Sequence, residues 1–185
     1  MQFKTVLSIT ISILTLLYPL AVYFGIQYLQ PWNIAALLVV ILALRLLITS
    51  GARQWGRPLI FIGIAYCTFA AWRNEVDALR LYPVLVSVGM LLLFAWSLYS
   101  PPTIIERLAR LQHPNLPPEG VVYTRRVTQI WCLFFIINGG IALFTALYSS
   151  LATWSLYNGL IAYVLMGILF AGEYIVRKRT QPHAR

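Results

Sequence analysis

Glu173 closes a long apolar run in the stretch FAGEYIVRKR, just ahead of Arg177, Lys178 and Arg179. A carboxylate held in lipid is costly unless it is paired, so intramembrane ionisable groups are candidate functional sites. Three other cations share its depth: Arg45, about a turn inside the second apolar run, and Arg125 and Arg126, where the fifth begins. This placement predicts that Glu173 pairs with Arg45 or Arg126, tying the sixth run to the second or the fifth. The plain alternative is that each group snorkels separately to water. A proton relay would need a second acid or a histidine at the same depth, and the sequence offers none.

Asn138 and Asn158 are the other polar groups set in apolar runs. Side-chain amides hydrogen-bond between membrane helices for typically ~0.6 and at most ~2 kcal/mol. Asn138 precedes Gly139-Gly140, and Gly167 with Ala171 forms a small-xxx-small pair. These features favour close helix packing over a substrate site. The glycine pair is not a phosphate loop, because no strand precedes it and no Lys-Ser/Thr follows.

Nothing else assembles into a catalytic set. His113 and His183 lie in polar segments, and there is no nucleophile elbow, HExxH, Walker loop or paired acid set. Cys67 and Cys132 sit in apolar runs without CxxC spacing and read as small buried apolar residues. The expectation is a protein without enzymatic activity, cofactor or metal. A lipid-modifying enzyme would instead bring His113, Glu119 and Glu106 together on one cleft.

The elements that must position these residues follow from composition. Of the 185 residues, 60% are hydrophobic and only 10% charged. A soluble domain carries about 25% charged residues, and a chain of this length could not hide so much apolar surface. Lipid must solvate its outside. The net charge of +9 is then an insertion signal, because Lys and Arg gather on the cytoplasmic side. It does not imply a nucleic-acid partner.

A helix needs ~20 apolar residues to cross the hydrocarbon. Six candidate runs appear: 5–29, 32–49, 58–72, 82–99, 127–148 and 154–176. The first is too long for a signal peptide's apolar core and lacks an A-x-A-like cleavage site; it reads as a retained span bent at Pro19. With the N-terminus inside, twelve basic residues fall on the cytoplasmic side, against Arg73 and Arg80 outside. The third run reaches only about 22 Å at ~1.5 Å per residue. If it did not cross, the Arg177–Arg179 cluster would fall outside. The charge bias therefore predicts an all-α membrane bundle of six transmembrane helices, both termini cytoplasmic, as one integral domain over 1–185.

Aromatic belts fit that topology. Tyr28, Trp32, Trp72, Tyr82, Tyr148 and Trp154 fall at the outer boundary, and Trp55, Trp96, Tyr99, Tyr123, Trp131 and Tyr174 near the inner one. The outer loop RNEVDALR reads as a solvated turn with local ion pairs. The cytoplasmic loop 100–126 contains a short amphipathic helix, with Ile104, Ile105, Leu108 and Leu111 on one face. It is either an interfacial helix or a plain connector, ended by the proline-rich HPNLPPEG.

The second half of the chain carries EVDALRLYP, LQHPNLPPEGVVYTRR, W-x-x-FF-x-x-x-G (Trp131, Phe134, Phe135, Gly139) and TWSLYNGLIAYVLMGILF. In these features it resembles the intracellular septation protein A family of small bacterial inner-membrane proteins. The resemblance covers residues 73–179. Val127-Thr128-Gln129 stands where the family has an asparagine, and Glu173 with the Arg177–Arg179 tail sets this chain, or a sister branch that includes it, apart from the family. The resemblance implies a multi-pass protein of the bacterial inner membrane, tied to envelope integrity or division without catalysis. Its partners would be the lipid bilayer, envelope or division proteins, or a second copy of the chain. A similar sister group accompanies polyene lipid biosynthesis. A small transporter or lipid-translocating protein is the alternative, marked by a polar cavity at the midplane between the fifth and sixth helices.

Overall fold

The computed structural model describes residues 24, 28–48, 57–73 and 76–180. Nearly all of the first predicted span lies outside these residues, as do Trp55, Glu75, His183 and the side chain of Arg45.

All regular structure among the described residues is helical. The elements are α1 (Pro31–Ile48), α2 (Arg57–Arg73), α3 (Val76–Arg80), α4 (Tyr82–Tyr99), α5 (Ile104–Gln112), α6 (Pro118–Tyr148), α7 (Leu151–Leu156), a π-helical turn (Tyr157–Ile161) and α8 (Ala162–Thr180). Three stretches are long and apolar enough to cross a membrane: Asp77–Tyr99, Pro118–Tyr148 and Leu151–Lys178. Shorter apolar helices cover Trp32–Leu44 and Ile60–Arg73. The described residues are all-α, and three of their helices have the length and composition of membrane spans.

Two of these helices differ from their predicted spans. α6 begins at Pro118, nine residues before the predicted 127. Proline is well suited to the first helical position, where its missing N–H costs nothing. The 31 residues of α6 reach roughly 46 Å at ~1.5 Å each, more than the ~30 Å of hydrocarbon. The last span contains the π turn, a local widening that periodicity did not announce.

The described chain divides into two compact units. The first comprises the described residues up to Val86 together with Ile141–Ile161. Its core joins Ile34, Ala35, Leu38 and Leu42, one stripe of α1, to Cys67 and Ala70 of α2, Leu79, Tyr82, Ala146 and Trp154. The second unit comprises Ser87–Gly140 and Ala162–Arg185. Its core is aromatic. Phe94 of α4 meets Phe135 of α6 edge-on at 5.2 Å, and Trp131 meets Phe170 of α8 at 4.6 Å.

The aromatic belts need correction at three positions. Tyr28, Trp32, Trp72, Trp96, Tyr99, Tyr148 and Tyr174 face outward. Tyr82, Trp131 and Trp154 do not; they are buried in the two cores. An indole at a span boundary can serve headgroup or core equally well, provided its N–H finds an acceptor.

Candidate functional site

In the second unit, polar groups gather where α6 begins and α8 ends. The Tyr123 hydroxyl donates to the Glu173 backbone oxygen at 3.2 Å and to its carboxylate Oε1 at 3.3 Å. Arg177, one turn along α8, lies 3.6 Å from the same Oε1, with its guanidinium 5.7 Å from the Tyr174 ring centroid. Glu173 is thus held by a phenol from α6 and by a cation of its own helix. Arg126 is exposed and forms no ion pair among the described residues. α1 carries Arg45, whose side chain lies outside the described residues. The α6–α8 tie therefore runs through Tyr123, which the sequence reading had assigned only to the aromatic belt.

Asn138 sits midway along α6 and donates from Nδ2 to Ser87 Oγ on α4 at 3.2 Å. The next residue, Gly139, is where α4 comes close: a Cβ added there would lie 3.0 Å from Ser87 Cβ.

The first unit holds a second polar cluster. Asn158 is buried in the π turn, and its Nδ2 donates to Trp154 O at 2.9 Å and to Thr145 Oγ1 of α6 at 3.3 Å. Trp154, fully buried, donates its indole N–H to Arg80 O at 3.0 Å. Arg80 in turn donates from Nη2 to Thr145 O at 2.8 Å and to Ser149 O. These carbonyls lie at the end of α6, where helix termini leave acceptors short of donors; Thr145 O also accepts from the Ser149 N–H at 3.3 Å, and the guanidinium adds a second donor to it. A cation there also suits the negative end of the helix dipole. Asp77, 3.6 Å from Nη1, is exposed, and Arg80 Nε is buried without a hydrogen-bond partner among the described residues. So the loop RNEVDALR is only partly a solvated turn: its second arginine caps a distant helix.

Arg80 and Trp154 are the residues that sequence reasoning missed. The local signal was the Asp77/Arg80 spacing at i,i+3. The distant carbonyls lie 65 and 69 residues away, beyond any local pattern.

The three groups that a lipid-modifying enzyme would need are engaged separately. Glu106 is buried and bound by Arg110 at 2.8 Å. His113 is exposed and ends α5 through its backbone N–H to Ala109 O. Glu119 is exposed in the first turn of α6. Among the described residues no cluster of three His, Cys, Asp or Glu side chains could hold a metal ion.

The phenol–carboxylate contact should be separable from general packing. Tyr123→Phe and Glu173→Gln should each cost on the order of 0.5 kcal/mol in detergent, and the double variant little more than either alone. Thermal unfolding of the four proteins checks this; fully additive losses would show that the two groups do not interact.

No protein-family model, curated protein or solved structure matches this chain.

Proposed function

We propose that the chain is a non-enzymatic accessory protein of the bacterial inner membrane, serving cell-envelope biogenesis or division through protein or lipid contacts. It crosses the bilayer six times with both termini cytoplasmic. The observation that carries this reading is how the polar groups of the apolar segments are used. Asn138 binds Ser87, Asn158 binds Thr145, and Glu173 binds Tyr123 and Arg177. Each joins helices or closes a turn, as polar residues that pack membrane helices do. The resemblance to the septation protein A family points the same way, and the positive-inside bias supports the orientation.

A small transporter or lipid-translocating protein is the second reading. One observation favours it: the π turn around buried Asn158, since π bulges inside helices are frequent at functional sites.

The deciding experiment is purification of the tagged chain from its native membrane in mild detergent, with mass spectrometry of what is retained. Stoichiometric envelope or division proteins are expected. A specific lipid without protein partners would overturn the accessory reading in favour of translocation. Reporter fusions at residues 76, 115 and 150 check the topology. Only the fusion at 115 should report the cytoplasm.

A further inference from the structure

Helix α5 combines a buried carboxylate with two exposed leucines: Glu106 is 5% exposed, while Leu108 and Leu111 are 57% and 80% exposed. At ~100° per residue the two leucines stand about 140–160° round the helix from Glu106, so Glu106 looks inward and the two leucines outward, while Ile104 and Ile105 at the start of the helix are half-buried. This mounting is held firmly at the front end. Thr103 caps the helix, accepting from the Glu106 N–H at 3.3 Å, and Ser97 of α4 accepts from the Ile104 N–H at 3.2 Å. Ile104 and Ile105 pack on the Phe94–Trp131–Phe135 core. Arg110 neutralises the buried Glu106, with both its Nε and Nη2 within 2.9 Å of Oε1.

An outward leucine face on a charged helix is stable where it meets hydrocarbon. The depth is right for that. α5 starts five residues after Tyr99, and Tyr99 and Trp96 are both outward-facing aromatics of the kind that sit at headgroup level. The charge is right as well. Arg125, Arg126 and Lys178 are exposed and have no ion pair among the described residues. They belong to the same edge of the second unit, because Tyr123 joins α6 to α8 there and packs, like Ile104 and Ile105, against the aromatic core.

We infer that α5 is an interfacial helix: Leu108 and Leu111 enter the acyl boundary, and Arg125, Arg126 and Lys178 hold anionic phospholipid headgroups beside it. The inference rests on the membrane reading above and names the lipid class. Basic residues near an anionic leaflet are drawn to it, so a pair removed together should be felt.

The test uses the full chain in nanodiscs of phosphatidylcholine, with and without a minority of phosphatidylglycerol. Nitroxides are placed at Leu111→Cys and Asn115→Cys in a Cys67→Ala/Cys132→Ala background. The label at 111 should be accessible to oxygen and shielded from a water-soluble nickel relaxant, more deeply so with phosphatidylglycerol, while the label at 115 stays in water. Equal nickel access at both positions would overturn the inference, and so would shielding at 111 that appears only in native membranes, which would identify a protein cover instead. Should the cysteine-free background misfold, lipid retention by the unmodified chain decides. Purified from an equal mixture, it should keep phosphatidylglycerol over phosphatidylcholine on the order of fivefold, and Arg125→Gln/Arg126→Gln should bring the ratio close to one. Equal retention by the unmodified chain would overturn the headgroup assignment. A reporter at residue 115 that faces outward would overturn the topology while leaving the immersion result intact, so the two failures are distinct.

Discussion

Trp154→Ala should lower the stability of the first unit by about 3 kcal/mol, measured as unfolding in detergent. Trp154 is 0% exposed and is the largest side chain in its core. Removing the indole empties a space that the helices cannot close, and deprives Arg80 O of its donor. Between membrane helices the burial gain is packing and not exclusion of water, which places the loss at the lower end of the usual range for a buried tryptophan. Trp154→Phe separates the two contributions. It keeps most of the ring, loses the hydrogen bond, and should cost about 1 kcal/mol. Trp72, 82% exposed, is the control: Trp72→Ala should leave unfolding nearly unchanged. Equal losses at 154 and 72 would show that Trp154 is a belt residue after all.

Trp154 also shows where a membrane sequence stops being legible. Apolar length announces a span, so Asp77–Tyr99, Pro118–Tyr148 and Leu151–Lys178 each contain one of the predicted runs, 82–99, 127–148 and 154–176. Position within a span is harder, because a boundary tryptophan has the same sequence signature whether its N–H meets a headgroup or a carbonyl. Amphipathic period reads well in α5, yet period alone cannot say which face turns inward; the Glu106–Arg110 pair is what lets the carboxylate be buried. Asn138 and Asn158 were legible as packing groups because an amide in lipid must find a partner. Their partners, Ser87 and Thr145, were not, since small hydroxyl residues are common in helices of every kind. Arg80 was illegible for a different reason: the end of α6 that it caps is set by the tight turn at Ser149 and Ser150, and the two come together only through tertiary structure.

The motif W-x-x-FF-x-x-x-G has a physical explanation in the second unit. Trp131, Phe135 and Gly139 follow one another at i,i+4 spacing and share one stripe of α6. All three are buried. Phe94 of α4 meets both rings, and Ser87, about two turns earlier on α4, meets Gly139. The motif encodes how two helices lie together: large rings fill the wider part of the interface, and a glycine lets the narrow part close. It carries no reactive group. Its presence in this chain is therefore an argument about packing, and any activity would have to be sought at other residues.

That packing makes opposite predictions for two adjacent glycines. Gly139→Leu should destabilise the second unit by about 1–3 kcal/mol. Even the first carbon of a new side chain would lie 3.0 Å from Ser87 Cβ, and a Cβ so close to the backbone cannot swing away as the tip of a long side chain would. The α4–α6 pair would have to separate, stretching the Asn138–Ser87 hydrogen bond, which already measures 3.2 Å. Gly140→Leu should do the reverse. A Cβ at Gly140 meets nothing within 4 Å, the position faces outward, and replacing a helical glycine recovers roughly 0.5–1 kcal/mol of helix propensity. The expected result is a stability equal to or slightly above that of the parent chain. Unfolding of the two variants under the same detergent conditions decides the matter. Ser87→Gly combined with Gly139→Ala offers a further check, because relieving the clash from the α4 side should return stability beyond the sum of the single effects. If Gly139→Leu and Gly140→Leu behave alike, α4 does not pass α6 at Gly139, and the packing explanation of the motif is wrong.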